Sequence, residues 1–135
     1  MNNNLLLTGA SGFIGKNIIN ILSIKFNVIK LGIKQNNDII LDLTSSNIIF
    51  KNHFDIVVHA AGKAHVVSKT DNESFYNVNY NGTINLCKSL ELSGVPKSFI
   101  FISTVAVYGK DYGKEIDENS PLLGNTPYAK SKIMA

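Results

Sequence analysis

Stretches of consecutive apolar residues alternate along this chain with stretches in which apolar residues recur every three or four positions. Short apolar runs between turn residues are typical of buried parallel strands, and the wider spacing is typical of amphipathic helices. The runs predict strands at residues 4–8, 26–31, 38–41, 55–59 and 98–103. The wider spacing predicts helices at residues 12–23 and 71–93 and another from about residue 45. In the first helix this spacing places four apolar residues on one side: Ile14, Ile18, Ile21 and Leu22.

The order of these elements predicts an α/β fold. Strands that alternate with helices build parallel βαβ units, so we expect a Rossmann-type, doubly wound parallel sheet. Glycines and a proline predict a loop over residues 105–125. Thr126 and Pro127 then predict the first turn of a final helix, because threonine caps helices and proline is favoured at their first position. This helix has no C-terminal signal and a full doubly wound fold has more strands, so we expect residues 1–135 to form one domain that is incomplete.

A glycine-rich segment, Thr8-Gly9-Ala10-Ser11-Gly12-Phe13-Ile14-Gly15, joins the first strand to the first helix. Gly9 permits a tight turn, Gly12 lets the backbone approach a pyrophosphate, and Gly15 lets the helix pack on the sheet. The free N–H groups at the start of the helix, those of Phe13 and Ile14, would face the phosphates. The segment predicts a dinucleotide cofactor, with an ordinary strand-to-helix turn as the alternative.

The position that usually selects the cofactor has no carboxylate here. In dinucleotide-binding folds an Asp or Glu at the end of the second strand binds the ribose 2′-OH. This chain has Lys30-Leu31-Gly32-Ile33-Lys34 at that place. We therefore expect either NAD or NADP, with Lys34 assisting a 2′-phosphate; the alternative is that both lysines are solvated surface residues.

Composition excludes several other classes of function. The chain is 44% hydrophobic, and the lysines behind its net charge of +3 are scattered, so we expect no nucleic-acid partner. We expect no membrane span and no signal peptide, and the single cysteine, Cys87, fits a reducing cytoplasm. His53, His59 and His65 lie on different elements without completing a ligand set, so no metal is predicted. His59 is expected to end a strand with its ring hydrogen-bonded locally.

Three side chains suggest acid–base chemistry. Tyr128 and Lys132 are four residues apart on the final helix and therefore share one face. A neighbouring ammonium favours the phenolate, which makes Tyr128 a candidate general base. Thr104, at the end of the last predicted strand, supplies a hydroxyl for the substrate oxygen whose proton moves. By itself this spacing is common, and an exposed helix turn is the alternative.

Together the motifs resemble the extended short-chain dehydrogenase/reductase family, in its sugar-nucleotide epimerase/dehydratase branch. The matching segments occur in the family's order and span nearly the whole chain. They are TGxxGxxG at residues 8–15, Asp42-Leu43, His59-Ala60-Ala61-Gly62, NxxGT at residues 79–83, S-T-x-x-VYG at residues 103–109 and PYxxSK at residues 127–132.

The resemblance implies a division of labour. Tyr128 would accept or donate the proton, Lys132 would lower the Tyr128 pKa and bind the nicotinamide ribose, and Thr104 would orient the reacting oxygen. Tyr128 and Lys132 would thus also contact the cofactor. The other implied cofactor-binding residues are Gly9, Ser11, Gly12, Phe13, Ile14, Gly15, Lys34, Asp42, Leu43, Ala60, Ala61, Gly62 and Asn79. The resemblance also implies a C-terminal substrate domain beyond this chain, a sugar-nucleotide substrate, and a homodimer of the full-length protein through the helices that carry NxxGT and Tyr-x-x-x-Lys.

Three functions remain open at this point. Dehydratases of the family typically follow the strand hydroxyl with Asp-Glu, and here Val105 and Ala106 cannot move protons. We therefore favour an NAD(P)-dependent sugar-nucleotide epimerase that removes and returns a hydride, usually at C4. An NADPH-dependent ketoreductase is the first alternative, and a non-catalytic NAD(P)-binding module is the second.

Overall fold

A parallel five-stranded sheet with helices on both faces forms the fold, and a computed structural model describes residues 3–64, 72–110 and 112–135. The strands are β1 (Asn4–Thr8), β2 (Asn27–Gly32), β3 (Ile39–Ile40), β4 (Ile56–His59) and β5 (Ser98–Phe101). The helices are α1 (Phe13–Leu22), α2 (Asn72–Phe75), α3 (Gly82–Ser93) and α4 (Pro127–Met134), with a π-helical turn at Tyr76–Asn81 and a 3₁₀ turn at Val105–Tyr108.

The strand order is β3-β2-β1-β4-β5, which confirms the predicted Rossmann-type topology. β1 lies at the centre, and its side chains alternate between two cores. Leu6 packs with Leu86 and Leu90 of α3, whereas Leu5 and Leu7 pack with residues of α1 on the opposite face. The chain places β2 and β3 on one side of β1 and then returns to place β4 on the other.

Two helix predictions require correction. The segment after β3 is not helical from residue 45: it turns instead, with Asn47 in the left-handed region at a φ of 61°. Its apolar residues Ile48 and Phe50 enter the core from this irregular segment. In α1, Ile21 is 68% exposed and Ile19 packs against the sheet in its place. The four isoleucines of this helix spread over nearly half of its circumference, so spacing alone did not identify the buried face.

The remaining boundaries shift by a few residues or change in type. The predicted helix at 71–93 is interrupted by the π-helical turn, and residue 71 lies outside the described residues, as does His65. β5 ends at residue 101 rather than 103, and the predicted loop begins with the 3₁₀ turn. Thr126 caps α4 as predicted, because its Oγ1 accepts a hydrogen bond from Ala129 N at 3.1 Å. None of the helices in the described part of the chain is long and apolar enough to cross a membrane.

Candidate functional site

An open cleft of about 320 Å³ lies at the carboxyl ends of β1, β2 and β4. Here the chain order reverses between neighbouring strands, and open α/β sheets bind ligands at such a switch point. Eight of the predicted cofactor-binding residues line the cleft: Gly9, Ser11, Gly12, Asp42, Leu43, Ala60, Ala61 and Gly62.

The first turn of the cleft depends on its glycines. Gly9 has a φ of 69°, and a Cβ at this residue would lie 2.6 Å from the Ala61 nitrogen. A Cβ at Gly15 would lie 2.5 Å from the Gly9 oxygen. Gly12 differs, since a Cβ there would approach only the Gly9 oxygen, at 3.2 Å. Gly9 and Gly15 thus permit the fold of the turn, whereas Gly12 keeps space open above it.

The start of α1 offers the donors that a pyrophosphate requires. Lys16 N donates to the Gly12 carbonyl at 3.1 Å, so the amides of Phe13 and Ile14 precede this first helical hydrogen bond. Their side chains are exposed and do not line the cleft, which leaves the main chain as their means of contact. Free amides, a positive helix end and a missing Cβ fit the phosphates of a dinucleotide.

Asp42 and Leu43 form one wall of the cleft. Oδ1 of Asp42 accepts hydrogen bonds from the amide and the hydroxyl of Thr44, at 2.9 and 2.8 Å, which orients the carboxylate. Leu43 is buried, and its carbonyl accepts from Asn85 Nδ2 at 2.9 Å. Lys34, by contrast, is exposed and lies outside the residues that line the cleft.

His59 holds the turn after β4 through a buried hydrogen-bond chain. Thr83 Oγ1 donates to the Asn79 carbonyl at 2.6 Å and so accepts from His59 Nε2 at 3.0 Å. Nδ1 is then the acceptor for the Thr8 hydroxyl at 2.6 Å, and Thr8 Oγ1 accepts from Ala61 N at 3.1 Å. The ring is therefore neutral with its proton on Nε2, and burial, helped by the charge of Lys132, lowers the His59 pKa to about 4.

The sequence predicted a hydrogen-bonded His59 but not its partners. Thr8 and Thr83 are 51 and 24 residues away, so no local spacing reveals them. A buried polar residue at the end of an apolar strand was the available signal, because such a residue requires hydrogen-bond partners.

Asn79 does not line the cleft, and its side chain instead supports neighbouring segments through hydrogen bonds. Its side chain is 1% exposed, and Oδ1 accepts from Lys63 N at 2.7 Å. Nδ2 donates to the Lys63 carbonyl at 3.0 Å and to Ser131 Oγ at 2.9 Å. Ser131 in turn donates to the Tyr128 carbonyl at 2.8 Å. Asn79 thereby joins the segment after β4 to helix α4.

Lys132 lies between α4 and the end of β5. Its Nζ donates to the Ile102 carbonyl at 2.7 Å and lies 3.9 Å from the centre of the Phe101 ring. The side chain is 7% exposed, and burial lowers its pKa to about 8. A Cβ placed on Gly62 would lie 4.0 Å from the same Nζ, so Lys132 lies beside a residue that lines the cleft.

Tyr128 and Thr104 lie on the two segments that Lys132 connects. Tyr128 is half-buried, and its ring centre lies 6.0 Å from that of Phe75. Thr104 follows Ile102 by two residues and caps the 3₁₀ turn, with its Oγ1 accepting from Ala106 N at 3.3 Å. Tyrosine, lysine and threonine are thus held on adjoining elements at the carboxyl edge of the sheet.

Comparison with known proteins gives consistent matches. The model of the NAD dependent epimerase/dehydratase family matches residues 5–135. An N-acetyl-α-D-glucosaminyl-diphospho-ditrans,octacis-undecaprenol 4-epimerase of Escherichia coli O157:H7 is 35% identical over 143 residues, covering 100% of this chain and 42% of the relative. This chain therefore spans less than half the length of that relative.

Two solved structures share the fold. DesIV, a dTDP-glucose 4,6-dehydratase from Streptomyces venezuelae with NAD bound, has a TM-score of 0.84 at 27% identity, over 97% of this chain and 48% of that one. RMD from Pseudomonas aeruginosa, complexed with NADPH, has a TM-score of 0.78 at 29% identity, over 99% of this chain and 47% of that one.

Proposed function

The chain belongs to the NAD-dependent epimerase/dehydratase family, and we propose that it is the cofactor-binding and catalytic part of a sugar-nucleotide 4-epimerase. The observation that carries the proposal is that the dinucleotide cleft and Lys132 meet at Gly62. A glycine-rich turn that fits phosphates and a buried lysine beside the same cleft are two parts that nicotinamide-dependent chemistry at a sugar carbon requires.

The residues of the chain have distinct roles in this proposal. The main chain from Gly9 to Ile14 binds the pyrophosphate, and Asp42 with Leu43 contacts the adenine. Lys132 is held by the Ile102 carbonyl and Phe101, and its remaining donors bind the nicotinamide ribose. A nicotinamide cofactor held by these residues would supply the hydride chemistry of the reaction, which is removal of a hydride from the sugar carbon and its return to the other face.

Tyr128 and Thr104 handle the proton. Tyr128 removes the proton of the sugar hydroxyl, and the nearby ammonium of Lys132 favours the phenolate that this step needs. Thr104 donates its hydroxyl to the same substrate oxygen. Val105, which is 82% exposed, and Ala106 offer no acid for the elimination of water, which favours epimerase over dehydratase chemistry.

The decisive variant is Tyr128→Phe in the full-length protein, tested on a panel of UDP-, GDP- and dTDP-sugars. Turnover should fall about 100- to 10,000-fold, the usual cost of losing a positioned acid or base, while cofactor binding persists. Lys132→Met should move the activity optimum to higher pH, and Thr104→Ser should be active where Thr104→Val is not. A Tyr128→Phe protein as active as the parent would leave only a binding module.

The cofactor balance separates the epimerase from the second candidate. An epimerase returns the hydride, so a deuterium at C4 stays in the product and the cofactor is unchanged. A ketoreductase consumes NAD(P)H in step with product. The ketoreductase is kept because Gly32 provides no carboxylate to repel the 2′-phosphate of NADP.

We further propose weak discrimination between NAD and NADP, or a mild preference for NADP, measured as the ratio of their dissociation constants. The full-length protein should form a homodimer through the π-helical turn with α3 and through α4, which sedimentation would test.

The single cysteine, Cys87, is half-buried, and burial raises its thiol pKa, which suits a cytoplasmic protein with no reactive thiol.

A further inference from the structure

The place of the missing ribose carboxylate is occupied by another polar group. Gly32 ends β2 and lines the cleft. A Cβ on Gly32 would meet the side-chain amide of Asn37, with 3.0 Å to Nδ2, 3.2 Å to Oδ1 and 3.3 Å to Cγ. The amide therefore lies where a side chain at residue 32 would begin. The absence of a side chain at Gly32 therefore makes room for the side chain of Asn37.

The Asn37 amide has a fixed orientation. The residue is 8% exposed, and its Nδ2 donates to the Lys34 carbonyl at 2.7 Å, while its backbone N donates to the same carbonyl at 3.2 Å. With the nitrogen used in this way, Oδ1 is the free end of the amide. Oδ1 has no hydrogen-bond donor among the described residues, and it is not sealed from solvent.

Space for a ligand lies next to this amide. A second cavity, of about 270 Å³, borders Asn37 and shares Ser11 with the cofactor cleft. The carboxylate of this loop, Asp38, interacts with Lys30: it accepts from Lys30 N at 2.8 Å and lies 3.6 Å from Lys30 Nζ. Asp38 is thus engaged by Lys30, whereas Asn37 Oδ1 is available to accept a hydrogen bond at the end of β2.

We propose that Asn37 Oδ1 accepts the hydrogen bond of the adenine-ribose 2′-OH in place of the usual carboxylate. The inference rests on the proposed binding of a nicotinamide dinucleotide. A neutral amide accepts the hydrogen bond of the hydroxyl without placing a charge at that position, in contrast to an Asp or Glu. Asn37 is then the residue that determines how strongly this chain recognises the ribose.

The test removes the hydrogen bond from each side in turn. The affinities of the parent chain and of Asn37→Ala for NAD⁺ and for 2′-deoxy-NAD⁺ are measured by calorimetry. NAD⁺ should bind Asn37→Ala about 3- to 10-fold more weakly than it binds the parent, the worth of one hydrogen bond. 2′-Deoxy-NAD⁺ should bind both proteins equally, because it lacks the hydroxyl. Gln35→Ala, an exposed position in the same turn, is the matched control and should bind as the parent does.

Each other outcome overturns a defined claim. If Asn37→Ala weakens both ligands equally, the amide only supports the loop and does not contact the ribose. If the parent binds 2′-deoxy-NAD⁺ as tightly as NAD⁺, no residue reads the hydroxyl and the inference fails, although the cofactor proposal stands. If the parent binds neither ligand, the cofactor proposal and this inference fall together.

Discussion

Replacing His59 should destabilise the protein near neutral pH. His59→Phe preserves a ring of similar size against Phe99 and Phe101, whose ring centres lie 6.2 and 5.7 Å away. The substitution removes the acceptor of the Thr8 hydroxyl, and Thr8 is 0% exposed. A buried group left without its partner costs about 1–3 kcal/mol, so we expect this loss in the free energy of unfolding.

The destabilisation should shrink as the solution is acidified. The folded protein holds the His59 pKa at about 4 against an ordinary 6.5, so the unfolded chain binds the proton more readily. The neutral ring therefore contributes stability that is complete above pH 6.5 and is lost as the pH falls through about 4. At 1.36 kcal/mol per pKa unit, the parent loses about 3 kcal/mol over this range, and His59→Phe has no such loss.

Urea unfolding of the two proteins at several pH values, followed by circular dichroism, measures the difference directly. Other groups that titrate in acid, such as Asp55, are present in both proteins and cancel. The free energy of unfolding of the parent should exceed that of His59→Phe near neutral pH, and this difference should vanish or reverse near pH 4. A difference that stays constant at every pH would show that His59 is not the buried neutral ring inferred from its hydrogen bonds.

Three further predictions follow from the site. Gly12→Val should fold but lose NAD(P) binding by calorimetry, whereas Gly9→Val should fail to fold, because of its φ of 69° and its close approach to Ala61. Equal behaviour of the two variants would contradict the separate roles of these glycines. In urea, the unfolding free energy of the parent should rise relative to Lys132→Met between pH of about 8 and 10.5, by up to about 3 kcal/mol, because the folded state releases the lysine proton first. A flat difference would mean that Lys132 is not desolvated. Thr126→Ala should cost about 1 kcal/mol in the same assay through the lost cap of α4, and no loss would show that the cap is dispensable.

Local sequence was enough to predict the sheet and the glycine-rich turn after β1. β1 is centred on three consecutive leucines, and the three glycines lie within eight residues of one another, so each signal fits inside a single window. The predicted lining residues Asp42 and Gly62 reach the cleft because each follows a predicted strand, and parallel strands bring their carboxyl ends to one edge.

The failures have a different physical origin. The helix expected from residue 45 did not form, because Asp42 caps Thr44 in a turn and Asn47 adopts a left-handed conformation. Asn37 was overlooked because its importance comes from the absent side chain of Gly32, which no pattern of residue types expresses. Tertiary contacts decided both outcomes.

The two halves of the site are aligned by neutral hydrogen bonds. Ala61, in the cofactor cleft, is joined through Thr8, His59 and Thr83 to the Asn79 carbonyl. The side chain of Asn79 continues the connection through Ser131 to the backbone of the helix that carries the tyrosine and lysine. Because none of these hydrogen bonds is part of an ion pair, salt should not weaken the connection. Its titratable member is His59, so the alignment of the cleft with the helix that carries Tyr128 and Lys132 should hold until the solution becomes acidic enough to protonate that ring.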